Sequence, residues 1–312
     1  LDRFTQVKDN WGHLVEEHAN IKTLKMYDRL NRDMTDLLRI NPDHYPGRLY
    51  WCNHNSEQGW PPFVQPKAPS DVPLWAFRQV EDMKLAQQWS DWWIDNRMIE
   101  NGELGGGLSD DGDHTNEWPG MALMGITPDK FKNAISLLMD AYYDQGLFTN
   151  GLSTIQADEL HSYEEGISVQ PQVMLLDYGD PKTVERIMET TAAVEKVTAI
   201  NEAGHRHFRS SYYGGNAIAD ESVWLWSRPY SYLNLHPAMV LVEYNGHPGA
   251  KKFCLEMADG LLAHRKKGPD GTYTMTGAIN FETDEDRPEG IGMCVQLLWA
   301  AWRWTGDKKY LE

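Results

Sequence analysis

The sequence TPDKFKNAISLLMDAYYDQG, residues 127 to 146, limits the fold more than any other stretch of the chain. Apolar residues recur at helical spacing, Thr127 stands at the N-cap position, Pro128 follows at the first helical position and Gly146 terminates the run. The same grammar returns in DPKTVERIMETTAAVEKVTAI (180 to 200), with Asp180 as cap and Pro181 behind it, in PGAKKFCLEMADGLLAHRKKG (248 to 268) and in PEGIGMCVQLLWAAWRWTG (288 to 306). LWAFRQVEDMKLAQQWSDWWIDNRM (74 to 98) reads as a further helix with Trp75, Val80, Met83, Leu85, Trp89 and Trp92/Trp93 near one side, and residues 13 to 40 hold one or two more. Strand signals are few, TYTMTGAINF (272 to 281) being the main one. A mainly all-α chain follows, and helices of this length joined by chemically rich loops predict an α/α toroid of stacked hairpins.

No low-complexity linker or charge block marks a boundary, so residues 1–312 are expected to form a single domain. A closed ring of six hairpins needs more chain than this, and the sequence opens at Leu1 without methionine. A segment of a longer protein, with part of the ring missing, is therefore expected.

Composition bears on partners. The 29 basic against 46 acidic side chains leave −17, which argues against nucleic acid. No apolar run approaches the roughly 20 residues needed to cross a bilayer, so no membrane partner is expected. The 13 Trp and 14 Tyr exceed what a core needs and suit grooves that bind sugars or peptides. Cys52, Cys254 and Cys294 are widely spaced and free of any CxxC, so they indicate neither zinc knuckle nor disulfide framework and leave the compartment open: secreted, periplasmic or cytoplasmic.

Three constellations carry chemistry. In NGELGGGLSDDGDHTNEWPG (101 to 120), glycines that let a backbone approach a ligand precede Asp110, Asp111, Asp113, His114, Glu117 and Trp118. Three such carboxylates cannot all point the same way without raising one another's pKa, and a raised carboxyl pKa is what a general acid or a shared-proton pair requires. A solvated helix cap and a Ca2+ site are the other readings, although the spacing is not that of an EF-hand. In GLSTIQADELHSYEEG (151 to 166), Gln156, Asp158, Glu159, His161, Tyr163, Glu164 and Glu165 offer sugar-hydroxyl contacts or an acid, or else an exposed polar turn. In GHRHFRSSYYGGN (204 to 216), His205, Arg206, His207 and Arg209 form a dense cationic patch followed by Tyr212 and Tyr213. Those groups suit β-elimination at a uronic acid, with a cation for the carboxylate and His or Tyr as base and acid. The plainer reading pairs the arginines with acidic loops and packs the tyrosines. WLWSRPYSYLNLHP (224 to 237) adds Trp224, Trp226, Arg228, Tyr230, Tyr232 and His236 as a stacking wall for pyranose rings.

The run from WWIDNRMIENGELGGGLSDDGDHTNEWPG through LHSYEEG and GHRHFRSSYYGGN to RPYSYLNLHP resembles the α/α-toroid portion of exo-acting rhamnogalacturonan lyases, and the likeness spans most of the chain. It implies a pectin-degrading lyase with further β domains outside this segment. A shorter likeness is local: Gly106 to His114 resembles the Gly-Gly-x-x-Asp-Ala-Gly-Asp-His motif of inverting α/α-toroid cellulases. By that resemblance Asp113 is the base and Asp110 its partner in holding the attacking water. Asp111 departs from the motif's alanine, and no distant glutamate acid is identifiable.

The sequence therefore predicts a carbohydrate-active enzyme that cleaves glycosidic bonds of an oligo- or polysaccharide. The cationic patch and the longer resemblance favour elimination narrowly over hydrolysis. In the lyase reading His205, His207 and Tyr212 or Tyr213 share the acid and base roles, and Arg206 or Arg209 holds the carboxylate. The Asp110 to His114 loop then shapes the subsite or holds Ca2+. A non-catalytic glycan-binding module is the alternative from another class.

Overall fold

The computed structural model describes residues 2–15, 21–55, 57, 59–61, 64–288 and 294–311. The chain divides into two compact units, residues 1–77 and 78–312. Both are mainly helical, as the periodicity predicts.

In the first unit α1 (Asp2–Val15) packs on α2 (Ile21–Ile40), and α3 (Tyr45–His54) follows. Val7, Leu30, Met34 and Leu37 form its core. The helical pattern expected between residues 13 and 40 is present in the end of α1 and in α2, residues 16–20 lying outside the described residues, while α3 has no periodic signal and rests on a local device: the His44 ring accepts a hydrogen bond from the Gly47 N–H, 3.1 Å away, with Pro46 inside the first turn.

The second unit opens with α4 (Leu74–Asn96), which begins just before the division, followed by α5 (Leu108–His114), α6 (Trp118–Leu123) and α7 (Pro128–Asp144). Helix α7 buries Phe131, Ala134, Ile135, Leu138, Met139 and Tyr142, the i, i+3, i+4, i+7 stripe that its sequence announces. Each large side chain on that stripe contributes roughly 1.5–3 kcal/mol by leaving water. Thr127 does stand at the N-cap of α7, but its backbone is left-handed (φ 35°) and its hydroxyl makes no capping bond. The reversal from α6 into α7 is only a few residues long, and that turn takes precedence over the cap. On α4 the packed strip is Ala86, Ser90, Trp93 and Ile94, whereas Trp75, Val80, Leu85, Trp89 and Trp92 are exposed. The expected apolar side is thus largely at the surface.

A short hairpin of β1 (Phe148–Thr149) and β2 (Leu152–Ser153) leads to β3 (Ala157–Asp158), α8 (Glu159–Ser162), a widened π-type turn over Tyr163–Ile167, and α9 (Val169–Leu176). Helix α10 (Pro181–Val197) starts as predicted, Asp180 accepting from the Thr183 N–H at 2.8 Å. It runs straight into β4 (Thr198–Ile200), which pairs antiparallel with β5 (Arg206–Phe208). Strand β6 (Tyr212–Tyr213) pairs with β3. Then come β7 (Trp226–Ser227), α11 (His236–Asn245) and α12 (Pro248–Leu262). They are followed by the hairpin β8 (Lys266–Lys267) and β9 (Tyr273–Thr274), by β10 (Ala278–Asn280) between β7 and β11 (Asp286–Arg287), and by α13 (Val295–Thr305). The predicted helix over 288 to 306 is described only from Val295, since residues 289–293 lie outside the described residues.

Successive helices are neighbours: α7 with α9, α9 with α10, α10 with α11, α11 with α12, α12 with α13. One core, with Trp118, Phe131, Leu138, Tyr142, Val169 and Val173, lies under α5 to α9. The other, with Ile167, Ile187, Phe208, Tyr213, Tyr232, Phe253 and Met257, lies under α10 to α13. Because Ile167 and Val169 belong to different cores, the widened turn sits on the seam between them. No described helix is long and apolar enough to cross a membrane.

Candidate functional site

The stretch read as a glycine-rich loop folds into a turn followed by α5. Gly105 and Gly107 take positive φ there. Asp111 is buried and folds back on the turn: its carboxylate accepts the N–H groups of Leu104 (2.7 Å), Gly105 (3.3 Å) and Gly106 (2.9 Å). Its place in the motif is therefore structural. Asp110 and Asp113, three apart on the helix, share the exposed side instead. Asp111 therefore does not converge with Asp110 and Asp113 on one ligand.

Gly112 lies where this helix meets the second constellation. A Cβ there would lie 2.6 Å from the Tyr142 hydroxyl oxygen, so glycine lets α5 pack closely on α7, with the Glu164 carbonyl oxygen of the widened turn in ordinary contact range at 3.5 Å. The contact brings Asp110 and Asp113 into electrostatic reach of Asp158, His161, Tyr163 and Glu164. Thr115 and Asn116 fasten the end of α5 through Gln172 of α9, at 2.9 and 3.0 Å.

The electrostatics of this cluster are asymmetric. Burial, with Asp113 next and Asp158 and Asp110 adding, pushes the Glu164 carboxyl up to about 7, against an opposing pull from His161. Burial also raises Asp113, partly offset by a hydrogen bond from Asn116. Burial alone would raise Asp158 too, but hydrogen bonds from the His161 backbone and ring hold it below its ordinary value. His161 is raised in return, chiefly by that 2.8 Å contact with Asp158. Behind them the Tyr163 hydroxyl lies 2.8 Å from His236 Nδ1, and His236 Nε2 lies 2.6 Å from Gln296 Oε1. Burial lowers the His236 pKa and raises that of Tyr163. The cluster thus pushes Glu164 up to about 7 while Asp158, a few residues away, is held below its ordinary value, a separation of the kind that acid–base chemistry needs.

The β3–β6 pairing joins the third constellation to this cluster. Asp158 stands opposite Tyr212, so their side chains share a face. Tyr212 is half-buried and stacks on Trp224, with ring centroids 4.6 Å apart. That pair is an aromatic platform beside the carboxylates.

The remaining predicted site residues disperse. Tyr213, opposite Ala157, is fully buried and stacks on Phe208. Trp118 is fully buried and stacks on Phe131 in the core rather than in a groove. His114 is enclosed by Trp89 and Trp93, with centroids 4.4 and 4.8 Å away, and burial lowers its pKa. Glu117 is exposed. Arg206 is committed to Glu256 (2.7 Å) and Thr198 (3.0 Å), and Arg209 is exposed. Arg228 pairs at 2.8 Å with buried Glu159, and the Arg287 guanidinium lies 4.2 Å over the Trp226 ring. Tyr230 is exposed and Tyr232 is core. His205 and His207 lie on β5 and the residue before it, facing His264 and Asp284; burial pushes His207 down to about 4. Of the patch read as cationic, Arg206 is therefore spent on pairing and His205 and His207 on a histidine cluster, while Arg209 stays exposed. His264 and Asp284 carry no sequence signal linking them to it, since they lie about sixty and eighty residues downstream.

Comparison with protein-family models, with curated proteins and with solved structures finds no match to this chain.

Proposed function

We propose that the chain is a carbohydrate-active enzyme of α/α-toroid type that hydrolyses a glycosidic bond in a polysaccharide, with Glu164 as general acid and Asp113, aided by Asp110, as base. The neighbour-to-neighbour packing of α7 through α13 supports the toroid reading. The observation that carries the chemistry is the Glu164 carboxyl, pushed up to about 7 beside Asp113 and Asp110. Glu164 gives its proton to the leaving glycosidic oxygen as the bond to the anomeric carbon breaks. Asp113 takes the proton of the water whose oxygen bonds to that carbon. Tyr212 and Trp224 supply the stacking surface for a pyranose ring. Glu164 answers the need for an acid that the local motif leaves open.

Elimination on a uronate-containing, rhamnogalacturonan-like glycan is the second reading. One observation favours it: the Tyr163 hydroxyl and His236 imidazole, 2.8 Å apart beside Asp113, are a phenol–imidazole pair of the kind that moves a proton. In that reading Tyr163 and His236 take the places of Tyr213 and His207, which are fully buried, while Tyr212 and His205 keep partial exposure.

The full chain is incubated with neutral and uronate polysaccharides while reducing ends and the ultraviolet absorbance of unsaturated uronates are followed together. Hydrolysis gives reducing ends without the absorbance, and Asp113→Asn and Glu164→Gln abolish it. Both signals together, lost in Tyr163→Phe, replace hydrolysis with elimination. Glycan binding without turnover in any variant makes the chain a binding module and overturns both readings.

A further inference from the structure

On β5 the alternation of side chains sends His205 and His207 to the same face, where they meet His264, just past the end of α12, and Asp284, in the loop between β10 and β11. His205 Nδ1 is 3.0 Å from Asp284 Oδ2, and His207 Nε2 and His264 Nε2 are 3.6 and 3.4 Å from Asp284 Oδ1. One donor atom from each of the four residues lies within 4.8 Å of all the others. A tetrahedral ion with bonds of about 2.0–2.1 Å holds its ligand atoms about 3.3–3.4 Å apart, so the three distances to Asp284 are close to the edge of such a polyhedron, and the remaining ligand atoms, within 4.8 Å of one another, need only a small inward shift.

The hydrogen bonding inside the cluster does not account for it. Both ring nitrogens of His207 are buried and lack a hydrogen-bond partner, and the buried Nε2 of His264 faces the Asp284 carboxylate at 3.4 Å. Burying imidazole nitrogens unpaired is costly unless something accepts their lone pairs. Asp284, by contrast, is held in place from outside: Asn201 donates to its Oδ1 at 2.6 Å, and the Asn201 side-chain oxygen accepts from the His205 N–H at 2.9 Å. Orienting contacts of this kind typically accompany metal ligands. Gly260 brings α12 close enough for the cluster to form, since a Cβ there would stand 2.6 Å from the Arg206 carbonyl oxygen and 3.2 Å from the His207 ring.

We propose that His205, His207, His264 and Asp284 bind a divalent transition ion, Zn2+ by preference, as a structural site. Three imidazoles and one carboxylate suit a borderline ion and exclude Ca2+ and Mg2+, which take oxygen ligands. Four protein ligands fill a tetrahedral shell, which makes the site a clamp joining the β4–β5 hairpin, the end of α12 and the β10–β11 loop. The ion has a way in, because the His205 and Asp284 side chains are 31% and 24% exposed while His207 is sealed. This site is independent of the proposed hydrolysis.

The test uses the full chain without a histidine tag, stripped with a chelator and titrated with Zn2+ against a chromogenic competitor, and with Co2+ for its tetrahedral visible spectrum. One equivalent is expected to bind, and saturation raises the melting temperature by about 5–10 °C. Asp284→Asn and His205→Ala are each expected to weaken binding by at least about 100-fold and to abolish the tetrahedral Co2+ spectrum. His205→Ala removes the most exposed ring, so it keeps the test decisive if Asp284→Asn does not fold. The site is overturned if the wild type binds no stoichiometric Zn2+, or if both variants bind it as tightly as the wild type.

Discussion

Replacing Glu164 by Gln separates a protonated, functional carboxyl from an ordinary surface acid. Burial and the neighbouring carboxylates hold Glu164 at about 7 against 4.5 for a solvated glutamate. At about 1.4 kcal/mol per pH unit that difference sets an upper limit of about 3 kcal/mol, and partial exposure to solvent reduces it to about 1–2 kcal/mol. The folded chain keeps a proton that the unfolded chain has already released. The contribution of Glu164 to stability is therefore complete below pH 4.5 and is lost as the pH rises through 7. Glutamine does not titrate, so the variant gains about 1–2 kcal/mol on the wild type between about pH 5 and about pH 8. Urea unfolding of both proteins at those two pH values measures the gain, all other carboxylates being common to the pair. On the hydrolase reading, the wild-type rate is expected to fall as pH rises through about 7 because the acid is lost, while the variant is slower by about 10²–10⁴-fold below that pH and the gap narrows above it. A stability difference that does not change with pH refutes the protonated Glu164 and with it the acid–base assignment.

Three further outcomes are expected. Asp111→Asn turns one amide group toward the N–H donors of Leu104, Gly105 and Gly106 and costs about 1.5–3 kcal/mol, read as a fall in melting temperature. Gly260→Ala, which in an open helix gains about 1 kcal/mol, instead costs about 1–3 kcal/mol because the new methyl meets the Arg206 carbonyl; denaturant titration gives the sign directly. Trp224→Ala removes half of the platform under Tyr212 and raises KM by about 5–10-fold while leaving kcat within about twofold, measured by steady-state kinetics on the preferred glycan.

The sequence by itself determined the longer helices α7, α10 and α12, but neither the packed side of α4 nor the short helices α3, α5, α6 and α8. The stripe of α7, the Asp180 cap and the Pro-led starts of α7, α10 and α12 are local, and local spacing and capping are what a sequence displays. It also marked all three polar constellations, and two of them, Asp110/Asp113 and His161/Tyr163/Glu164, do meet. Their roles depended on distance through space. Asp111 looks like its neighbours in the sequence, yet one helical step turns it inward to bind three backbone N–H groups while Asp113 faces out. Glu164 acquires its raised pKa from burial and from Asp113 and Asp110 of α5, which packs against the widened turn, and no periodicity encodes that contact. The His205–His207 spacing reads as a cationic patch until a two-strand hairpin, too short to show in the sequence, aims both rings at His264 and Asp284. Burial and long-range pairing set protonation and ligand geometry, and both are properties of the packed chain.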